Sequence, residues 1–341
     1  MRAHQIVFTQ PNEVELQEFD FDPTDLADDE VAIKNHYSLI SPGTELACLR
    51  GIEDWARLPF VPGYAGCGEV IAVGKKVRRF QPGDTIFAYT RHASHVKARA
   101  LSAPVPAGID ERQACYARMA AVAITALQVS NAALGDYVAV LGLGLVGNLA
   151  AQLFTLAGCE VIGVDLAPRR LEIARRCGIA HTLNPADGDL AERVAVLTNG
   201  AKCATVVEAT GAPAVALEAG KLAGKLGEVI LLGTPRGAHH ADVTEFLRGI
   251  HLWGSGCITF KGAHEWRAPI EPSPDGAYKH SIQRNIEILL RLIARGRLHV
   301  ADLITHVLPP QECARAYAGL RDDPDVYMGV VFDWRRLNER T

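Results

Sequence analysis

A glycine-rich segment in the middle of the chain restricts the fold more than any other feature. The run VAVLGLGLVG at 138–147 is typical of a buried strand, a tight turn and the start of a helix. Gly142, Gly144 and Gly147 fit G-x-G-x-x-G, and Asp165 ends the next apolar run, EVIGVD. Such glycines permit the turn, the approach of a pyrophosphate and close helix packing, while the carboxylate suits a ribose diol. The pattern predicts a dinucleotide site; a tight turn without a ligand is the other interpretation.

Length and composition favour an ordinary globular protein of two domains. The chain has 341 residues, of which 48% are hydrophobic and 22% charged. That length exceeds what one hydrophobic core usually serves. The net charge of −4 gives no electrostatic reason to expect nucleic acid or an anionic membrane as a partner. We expect a small-molecule substrate instead.

Cysteine usage and the N-terminal residues bear on the compartment. The eight cysteines are scattered and form no C-x-x-C pair, which favours a reducing environment. The first residues, MRAHQIVFTQP, are typical of a strand rather than a signal peptide, and no apolar run approaches the length of a membrane span. These features predict a cytoplasmic protein without a membrane segment.

The pattern of apolar runs changes along the chain and predicts two domains. Residues 1–118 carry short β-type runs with glycine and proline, which indicates a compact β-rich domain. Residues 119–134, MAAVAITALQVSNAAL, are predicted to be helical, and strands and helices then alternate, as in a doubly wound parallel sheet. After residue 256 the alternation breaks. We predict a discontinuous domain of 1–118 and 257–341 around a second domain of 119–256.

A series of short motifs, in this order, resembles the medium-chain dehydrogenase/reductase superfamily, which includes the zinc alcohol and polyol dehydrogenases. The motifs are SPGTEL at 41–46, PGYAGCGEV at 62–70, QPGDTIFA at 81–88, AITAL at 123–127, GLGLVG at 142–147, VEATG at 207–211 and DLITHVLP at 302–309. The resemblance implies an α/β protein with a GroES-like β-rich catalytic domain and a Rossmann domain. It also implies a substrate and nicotinamide in the cleft between them, an NAD(P)-dependent enzyme, and a homodimer or homotetramer.

The chain departs from the zinc-binding members of that superfamily at the positions of their metal ligands. By resemblance those positions are Pro42, Tyr64, Ala65 and Ala121, and the four-cysteine lobe that binds structural zinc is missing. Catalytic zinc needs at least three nitrogen, sulfur or oxygen donors. We therefore predict no zinc at either site. A relocated site using His92, His95 or Glu45 is the competing interpretation, against which a solvated loop at His92 and His95 is favoured.

The cofactor residues come partly from the glycine pattern and partly from the resemblance. Asp165 favours NAD(H) over NADP(H), because its charge would repel a 2′-phosphate. Arg169 and Arg170 could bind such a phosphate, or form an exposed helix start with one guanidinium over adenine. The remaining predicted contacts are turn residues Gly142, Gly144, Leu145, Val146 and Gly147, and, by resemblance, Thr125, Thr210, Gly211, Gly233 and Thr234. Each of the resemblance-based residues could instead be a simple strand-end turn residue.

Without zinc, hydrogen-bond donors or a general acid must act on the reacting oxygen. The resemblance places Thr44 where the superfamily keeps a proton-relay hydroxyl, although a turn-capping hydroxyl is the alternative. Tyr64 stands in a vacated ligand position, where its phenol could donate a proton or merely fill space. Glu45 could orient Tyr64 or a nearby histidine, or pair with an arginine in the core. These three are the predicted catalytic residues.

Two further groups are weaker candidates. A base could come from His36, Arg91, His92, His95 or Lys97 in the β-rich domain, although each is more often structural or superficial. The irregular segment 259–280 contains Lys261, His264, Glu265, Trp266 and Arg267. It is either a substrate-shaping loop or a disordered or oligomer-contact loop.

These observations predict a zinc-independent oxidoreductase that uses NAD(H). It would transfer hydride between nicotinamide and a secondary alcohol or ketone on a polyol, sugar, cyclitol or ring-bearing hydroxyethyl substrate. An NAD(P)H-dependent enone or quinone reductase is the first alternative, because zinc-free superfamily members commonly reduce activated double bonds. A non-catalytic nucleotide-binding protein is the second.

Overall fold

The structure is a computed structural model that describes residues 1–99 and 101–337. The described residues divide into two compact units. The first contains those of 1–118, Ala268–Gly296 and the residues from Leu303 onward; the second contains Met119–Arg267 and Arg297–Asp302. Within the described ranges, no helix has both the length and the apolar character needed to cross a membrane.

Strands and helices are numbered in chain order. The strands are β1 (Arg2–Phe8), β2 (Val14–Asp20), β3 (Val31–Leu39), β4 (Gly66–Val73), β5 (Thr85–Ala88), β6 (His95–Ala98), β7 (Ser102–Pro104), β8 (Tyr137–Leu141), β9 (Glu160–Val164), β10 (His181–Leu183), β11 (Cys203–Glu208), β12 (Ala223–Leu231), β13 (Thr259–Gly262), β14 (Ile304–Leu308) and β15 (Gly329–Asp333). The α-helices are α1 (Pro42–Leu49), α2 (Glu111–Ala114), α3 (Ala117–Val129), α4 (Leu145–Leu156), α5 (Pro168–Arg176), α6 (Leu190–Leu197), α7 (Pro213–Ala219), α8 (Thr244–His251), α9 (Ile282–Ala294) and α10 (Cys313–Asp322).

The first unit is built on a seven-stranded sheet with a separate antiparallel pair, β1–β2. The order in the larger sheet is β14-β15-β3-β4-β5-β7, with β6 also paired to β3. Only β14 and β15 run parallel; the other pairs of this sheet are antiparallel. Phe8, Leu49, Tyr317 and Phe332 belong to one buried cluster that packs β1, α1, α10 and β15 together. This cluster fixes the helix that carries the predicted catalytic motif SPGTEL.

The second unit is a six-stranded parallel sheet in the order β10-β9-β8-β11-β12-β13. Counted from β8, this is the order 3-2-1-4-5-6 of the Rossmann fold, in which ligands bind where the strand order reverses. That reversal lies between β8 and β11, whose carboxyl ends carry the glycine turn and the VEATG turn. The strands are apolar because helices cover both faces of such a sheet. The predicted α/β class, with a β-rich domain and a doubly wound parallel sheet, is confirmed.

Two boundaries differ from the sequence prediction. The helix predicted through 134 ends at Val129, and beyond it the Asn131 amide donates a hydrogen bond of 2.7 Å to the Glu228 carboxylate. The Asn131 amide thus binds a buried acceptor on β12 instead of a carbonyl oxygen of a continued helix. The second boundary was predicted at 256/257, but β13 pairs with β12 in the parallel sheet, so the second unit extends to Arg267. That prediction missed β13 because periodicity does not identify a four-residue strand beside an irregular segment.

Candidate active site

The three glycines of the turn after β8 have three different environments. Gly142 has a φ of +89°, which favours glycine, and a Cβ there would lie 2.7 Å from Thr210 Cγ2. A Cβ on Gly147 would lie 1.8 Å from the Gly142 carbonyl oxygen, so α4 packs directly on the turn. Gly144, the residue before α4, has nothing within 4 Å of a Cβ. The space beside Gly144 is where a phosphate could approach the amide groups at the start of α4.

Of the residues that follow, Leu145 and Val146 form the first turn of α4. The Leu145 side chain is buried, and Val146 is half-buried. Leu145 can therefore offer a ligand only its backbone amide, as is usual for phosphate at a helix N-terminus.

Asp165 follows β9, and its buried carboxylate braces the glycine turn. One oxygen accepts a hydrogen bond of 2.7 Å from the Leu143 amide, and the other accepts one of 2.8 Å from the Ala167 amide. Arg170 Nη1 lies 3.7 Å from Asp165 Oδ2, whereas the Arg169 side chain is exposed. The structure thus places a fixed negative charge at the end of β9, next to the glycine turn, with one arginine already turned toward it.

A second pair of turns closes the edge beside the glycine turn, at the ends of β11 and β12. Gly211 has a φ of +70°, and a Cβ on Gly233 would lie 2.2 Å from the Gly211 nitrogen. The two turns therefore meet backbone to backbone. Thr210 and Thr234 are exposed beside them. By contrast, the predicted contact Thr125 is buried in α3, where its hydroxyl donates to the Ala121 carbonyl oxygen at 3.2 Å.

Glu208 organises this second pair of turns and was missed at the sequence level. Its buried carboxylate accepts hydrogen bonds from the Thr210 amide at 2.6 Å and from the Gly211 amide at 3.1 Å, and the Thr210 hydroxyl also donates to it. Its backbone carbonyl accepts from the Gly233 amide at 2.8 Å. The available signal in the sequence was an acidic residue at the end of a buried strand, two residues before the Thr210–Gly211 turn.

In the first unit, Glu45 is the centre of a buried polar network. Its side chain reaches back from the first turn of α1 to accept a 2.7 Å hydrogen bond from the Ser41 amide. The other carboxylate oxygen accepts from the Tyr317 hydroxyl at 2.5 Å and lies 3.0 Å from His92 Nε2. Of the roles predicted for Glu45, the geometry matches orientation of a nearby histidine and not an arginine pair. Burial, followed by the Glu45 charge, raises the pKa of Tyr317 well above its ordinary value.

The same network corrects the interpretation of His92. Its ring is completely buried, and Nδ1 lies 2.7 Å from the Ser38 hydroxyl, which also accepts a hydrogen bond from Trp334 Nε1. The prediction of a solvated loop is therefore wrong for His92. Two non-local partners, one on β3 and one on α1, hold a histidine that the local sequence places among polar neighbours.

Tyr64 and Thr44, the predicted proton-handling pair, lie together in the first unit. Both are half-buried, and the side chains of Ser41 and Thr44 make hydrogen bonds to the Tyr64 hydroxyl that lower its pKa. Burial acts more strongly in the opposite direction, so the pKa of Tyr64 is raised overall. The Tyr64 phenol therefore keeps its proton at neutral pH and can donate it.

The Tyr64 ring also lies against a cation that sequence reasoning missed. The guanidinium carbon of Arg118 is 4.7 Å from the centre of the Tyr64 ring and 4.6 Å from that of Tyr89. Arg118 is only 7% exposed, at the start of α3. No local pattern connects residues 64, 89 and 118, because two loops and the start of α3, from separate parts of the chain, bring them together.

Three of the weaker candidates, His36, Lys97 and Lys261, are paired with carboxylates within their own units. His36 Nδ1 lies 2.6 Å from Glu111 Oε2, and Lys97 binds Asp25. His95 is on β6 and Arg91 is exposed. In the segment 259–280, Lys261 pairs at 2.5 Å with the buried Glu228, which is a structural contact within the parallel sheet.

The residues at the superfamily's zinc positions do not fit a zinc ion. Pro42, Ala65 and Ala121 have no donor atom, and the remaining position, Tyr64, lies against the positive charge of Arg118. Across residues 1–99 and 101–337, no cluster of three or more histidine, cysteine, aspartate or glutamate side chains is arranged to hold a metal. For the relocated alternative, Glu45 and His92 are hydrogen-bonded directly to each other.

Two sequence profiles match most of the chain. Residues 27–127 match the profile described as "Alcohol dehydrogenase GroES-like domain". Residues 146–271 match the profile described as "Zinc-binding dehydrogenase". The first match contains the Tyr64 site, and the second begins at Val146, near the end of the glycine turn, and contains Asp165.

Individual proteins are similar to the chain over much of its length. The D-guloside 3-dehydrogenase of Escherichia coli (strain K12) is 30% identical over 278 residues, which are 78% of this chain and 75% of that protein. A quinone oxidoreductase of Pseudomonas aeruginosa is 32% identical over 162 residues, covering 45% of this chain and 50% of that protein. The crystal structure of galactitol-1-phosphate dehydrogenase from Escherichia coli covers 97% of this chain and 99% of its own, with a TM-score of 0.83 at 18% identity. That last likeness concerns the fold.

Proposed function

As a member of the medium-chain dehydrogenase/reductase superfamily the chain is an oxidoreductase, and we propose that it transfers hydride between NAD(H) and a secondary alcohol or ketone without zinc. The observation that carries this proposal is the Tyr64 phenol, which stands at a position that the resemblance assigns to a zinc ligand and whose ring lies against the Arg118 guanidinium. The relative named D-guloside 3-dehydrogenase supports a sugar-derived substrate among the polyol, sugar, cyclitol and hydroxyethyl classes.

The proposed preference for NAD(H) over NADP(H) rests on Asp165. Its buried carboxylate ends β9, and a 2′-phosphate placed beside it would meet a like charge. Arg170 is already turned toward that carboxylate, which leaves the exposed Arg169 as the free alternative for adenine or phosphate. The proposed contacts with the cofactor are the amides of Gly144, Leu145 and Val146, and the turns at Thr210–Gly211 and Gly233–Thr234.

In the proposed chemistry, the residue that donates the proton to the substrate lies in the first unit. When bound, the dinucleotide supplies or accepts the hydride at its nicotinamide ring. In the direction of reduction, Tyr64 donates its phenolic proton to the substrate oxygen as that oxygen becomes negative. Thr44 and Ser41 hold the phenol through their side-chain hydrogen bonds, and Thr44 connects it to the proton supply. Glu45 is a positioning residue: its carboxylate is fully occupied by the buried network and holds the start of α1, which carries Thr44.

Steady-state kinetics of Tyr64→Phe and Thr44→Val test this assignment. The substrates are a panel of methyl glycosides, sorbitol and myo-inositol with NAD⁺, and the corresponding ketones with NADH. We expect kcat to fall by about 10²–10⁴-fold in Tyr64→Phe, as when a general acid is removed. Tyr327→Phe is the matched control and leaves kcat unchanged, because Tyr327 is half-buried like Tyr64 but is stacked on His306. A fall of less than about threefold in both site variants, or stoichiometric zinc in the active protein, would overturn the proposal.

The second candidate is an enone or quinone reductase, which the similarity to a quinone oxidoreductase favours. It predicts reduction of 1,4-benzoquinone with NADPH and no oxidation of any alcohol in the panel. Tight NADH binding without turnover of either class would instead indicate a non-catalytic nucleotide-binding protein.

Free cysteines at all eight positions support the proposed reducing, cytoplasmic location. A homodimer or homotetramer is the assembly expected from the superfamily.

A further inference from the structure

The Arg118 guanidinium lies between two aromatic rings in the first unit. Its central carbon is 4.7 Å from the centre of the Tyr64 ring and 4.6 Å from that of the Tyr89 ring. A cation within about 6 Å of an aromatic centroid is attracted by the negative face of the ring, and desolvation strengthens the attraction. With 7% of its surface exposed, Arg118 is largely removed from water. The two rings and the guanidinium therefore form a cation–π stack.

The charge in this stack is permanent. An arginine guanidinium stays protonated at any pH at which the protein is folded, and its plane suits stacking better than a lysine ammonium does. Tyr64 is the member of the stack whose hydroxyl also contacts Ser41 and Thr44. The positive charge consequently lies beside the same phenol that the proposed function uses as a proton donor.

The charged and titratable groups around Tyr64 act in opposite directions. Burial raises the pKa of Tyr64 most strongly, and the Arg118 charge is the largest influence that lowers it. The Glu45 carboxylate raises the pKa, whereas hydrogen bonds from Ser41 and Thr44 lower it. Further titratable groups nearby are the buried phenol of Tyr317 and the His92 ring, both hydrogen-bonded to Glu45, and Tyr89 in the stack. Without Arg118, the largest influence that opposes the burial and the nearby carboxylate is lost.

We propose that Arg118 is a positioning residue for Tyr64: it holds the phenol ring in place and stabilises the phenolate formed when that hydroxyl gives up its proton. This inference rests on the proposed function. In reduction, hydride adds to the carbonyl carbon, the phenolic O–H bond breaks and an alcohol O–H bond forms. The negative charge is left on the Tyr64 phenolate, whose ring lies against Arg118, until a proton from water returns through Thr44. The guanidinium thereby provides, beside the Tyr64 ring, a positive charge in place of the one that zinc provides in zinc-dependent relatives.

The test uses full-length, cofactor-free protein with 3-fluorotyrosine incorporated at position 64. Fluorine NMR follows the ionisation of that single residue against pH, and the substituted phenol is acidic enough to titrate while the protein stays folded. Three forms are compared, namely the labelled parent, Arg118→Gln and Arg118→Lys. Thermal unfolding of each form establishes that it is folded over the titrated range.

We expect the titration midpoint of residue 64 to rise by about 1–3 pH units in Arg118→Gln, because a nearby opposite charge is removed. Arg118→Lys keeps a charge but loses the planar stack, so its midpoint rises by less. The pH profile of kcat should move in the same direction in the unlabelled variants. An unchanged midpoint in a folded Arg118→Gln would overturn the inference, as would a lysine variant that behaves like the glutamine variant.

The design separates this inference from the proposed function. If Tyr64→Phe abolishes turnover but the titration midpoint of residue 64 is the same in the parent and in Arg118→Gln, the proposed function stands and the inference fails. If Tyr64→Phe turns over normally and the midpoint shifts, the electrostatic contact is real, but its assigned role in proton transfer is refuted together with the function.

Discussion

Replacing Glu45 by glutamine measures how strongly the buried network under α1 supports the first unit. Three donors converge on this carboxylate: the Ser41 amide at 2.7 Å, the Tyr317 hydroxyl at 2.5 Å and His92 Nε2 at 3.0 Å. An amide of nearly the same size has only one oxygen, so the donors on its other side meet an N–H group. The substitution therefore changes hydrogen bonding while it changes packing very little.

The magnitude follows from the number of donors left without an acceptor. A buried donor without an acceptor costs about 1–3 kcal/mol. In Glu45→Gln the amide oxygen still accepts from the Ser41 amide, and the tautomer of His92 can adapt to the amide N–H, which leaves the Tyr317 hydroxyl as about one such donor. We expect a loss of about 1–3 kcal/mol for Glu45→Gln and about 3–5 kcal/mol for Glu45→Ala, which removes every acceptor.

Urea unfolding followed by tryptophan fluorescence measures this loss. Trp334 is 4% exposed, whereas Trp55, Trp253 and Trp266 are 60%, 62% and 52% exposed. The change in fluorescence on unfolding therefore reports mainly on Trp334, which lies in the first unit and is hydrogen-bonded to Ser38. With an m-value on the order of 3 kcal/mol/M, a loss of about 3 kcal/mol lowers the midpoint by about 1 M.

Glu18→Gln is the matched control, because Glu18 also faces a histidine but at the surface. Its carboxylate lies 3.5 Å from His4 Nε2, with 59% of the Glu18 side chain exposed. We expect a shift of less than about 0.5 kcal/mol there, as for most exposed ion pairs. Equal shifts in Glu18→Gln and Glu45→Gln would refute the view that burial of the network is what makes it stabilising.

Two other perturbations have expected outcomes. Burial, then the charges of Lys34, the N-terminus and His4, lower the pKa of His95 below 6.5. The unfolded chain then binds that proton more tightly, so stability declines as pH falls below 6.5, and His95→Gln should flatten this decline in urea midpoints. Gly147→Ala should destabilise the protein by about 1–3 kcal/mol in thermal unfolding, whereas Gly144→Ala should keep its stability but weaken NADH binding in fluorescence titrations. If Gly144→Ala binds NADH with the affinity of the parent protein, the pyrophosphate does not bind at this turn.

The Rossmann half of the fold was predictable from local sequence because its signals are local. An apolar run of strand length, a glycine turn and an amphipathic helix fall within the few residues of VAVLGLGLVG and its continuation, and β8 and α4 begin where this pattern indicates. The position of Asp165 was also predictable, since it directly follows the neighbouring apolar strand β9. Prediction failed where a non-local partner ends an element, as at Asn131, whose amide binds Glu228 on β12.

The sequence by itself determined the superfamily, the two kinds of domain and the missing zinc donors, because each depends on which residue stands at a position in an ordered motif. Only the tertiary structure decided which side chains meet. It brought Arg118 onto the Tyr64 ring and His92 onto Glu45, pairs separated by long stretches of chain. It also turned the Asp165 carboxylate onto the Leu143 amide in the glycine turn. Side-chain partners of this kind depend on the packing of several strands and loops at once, and no periodicity or motif within one segment encodes them.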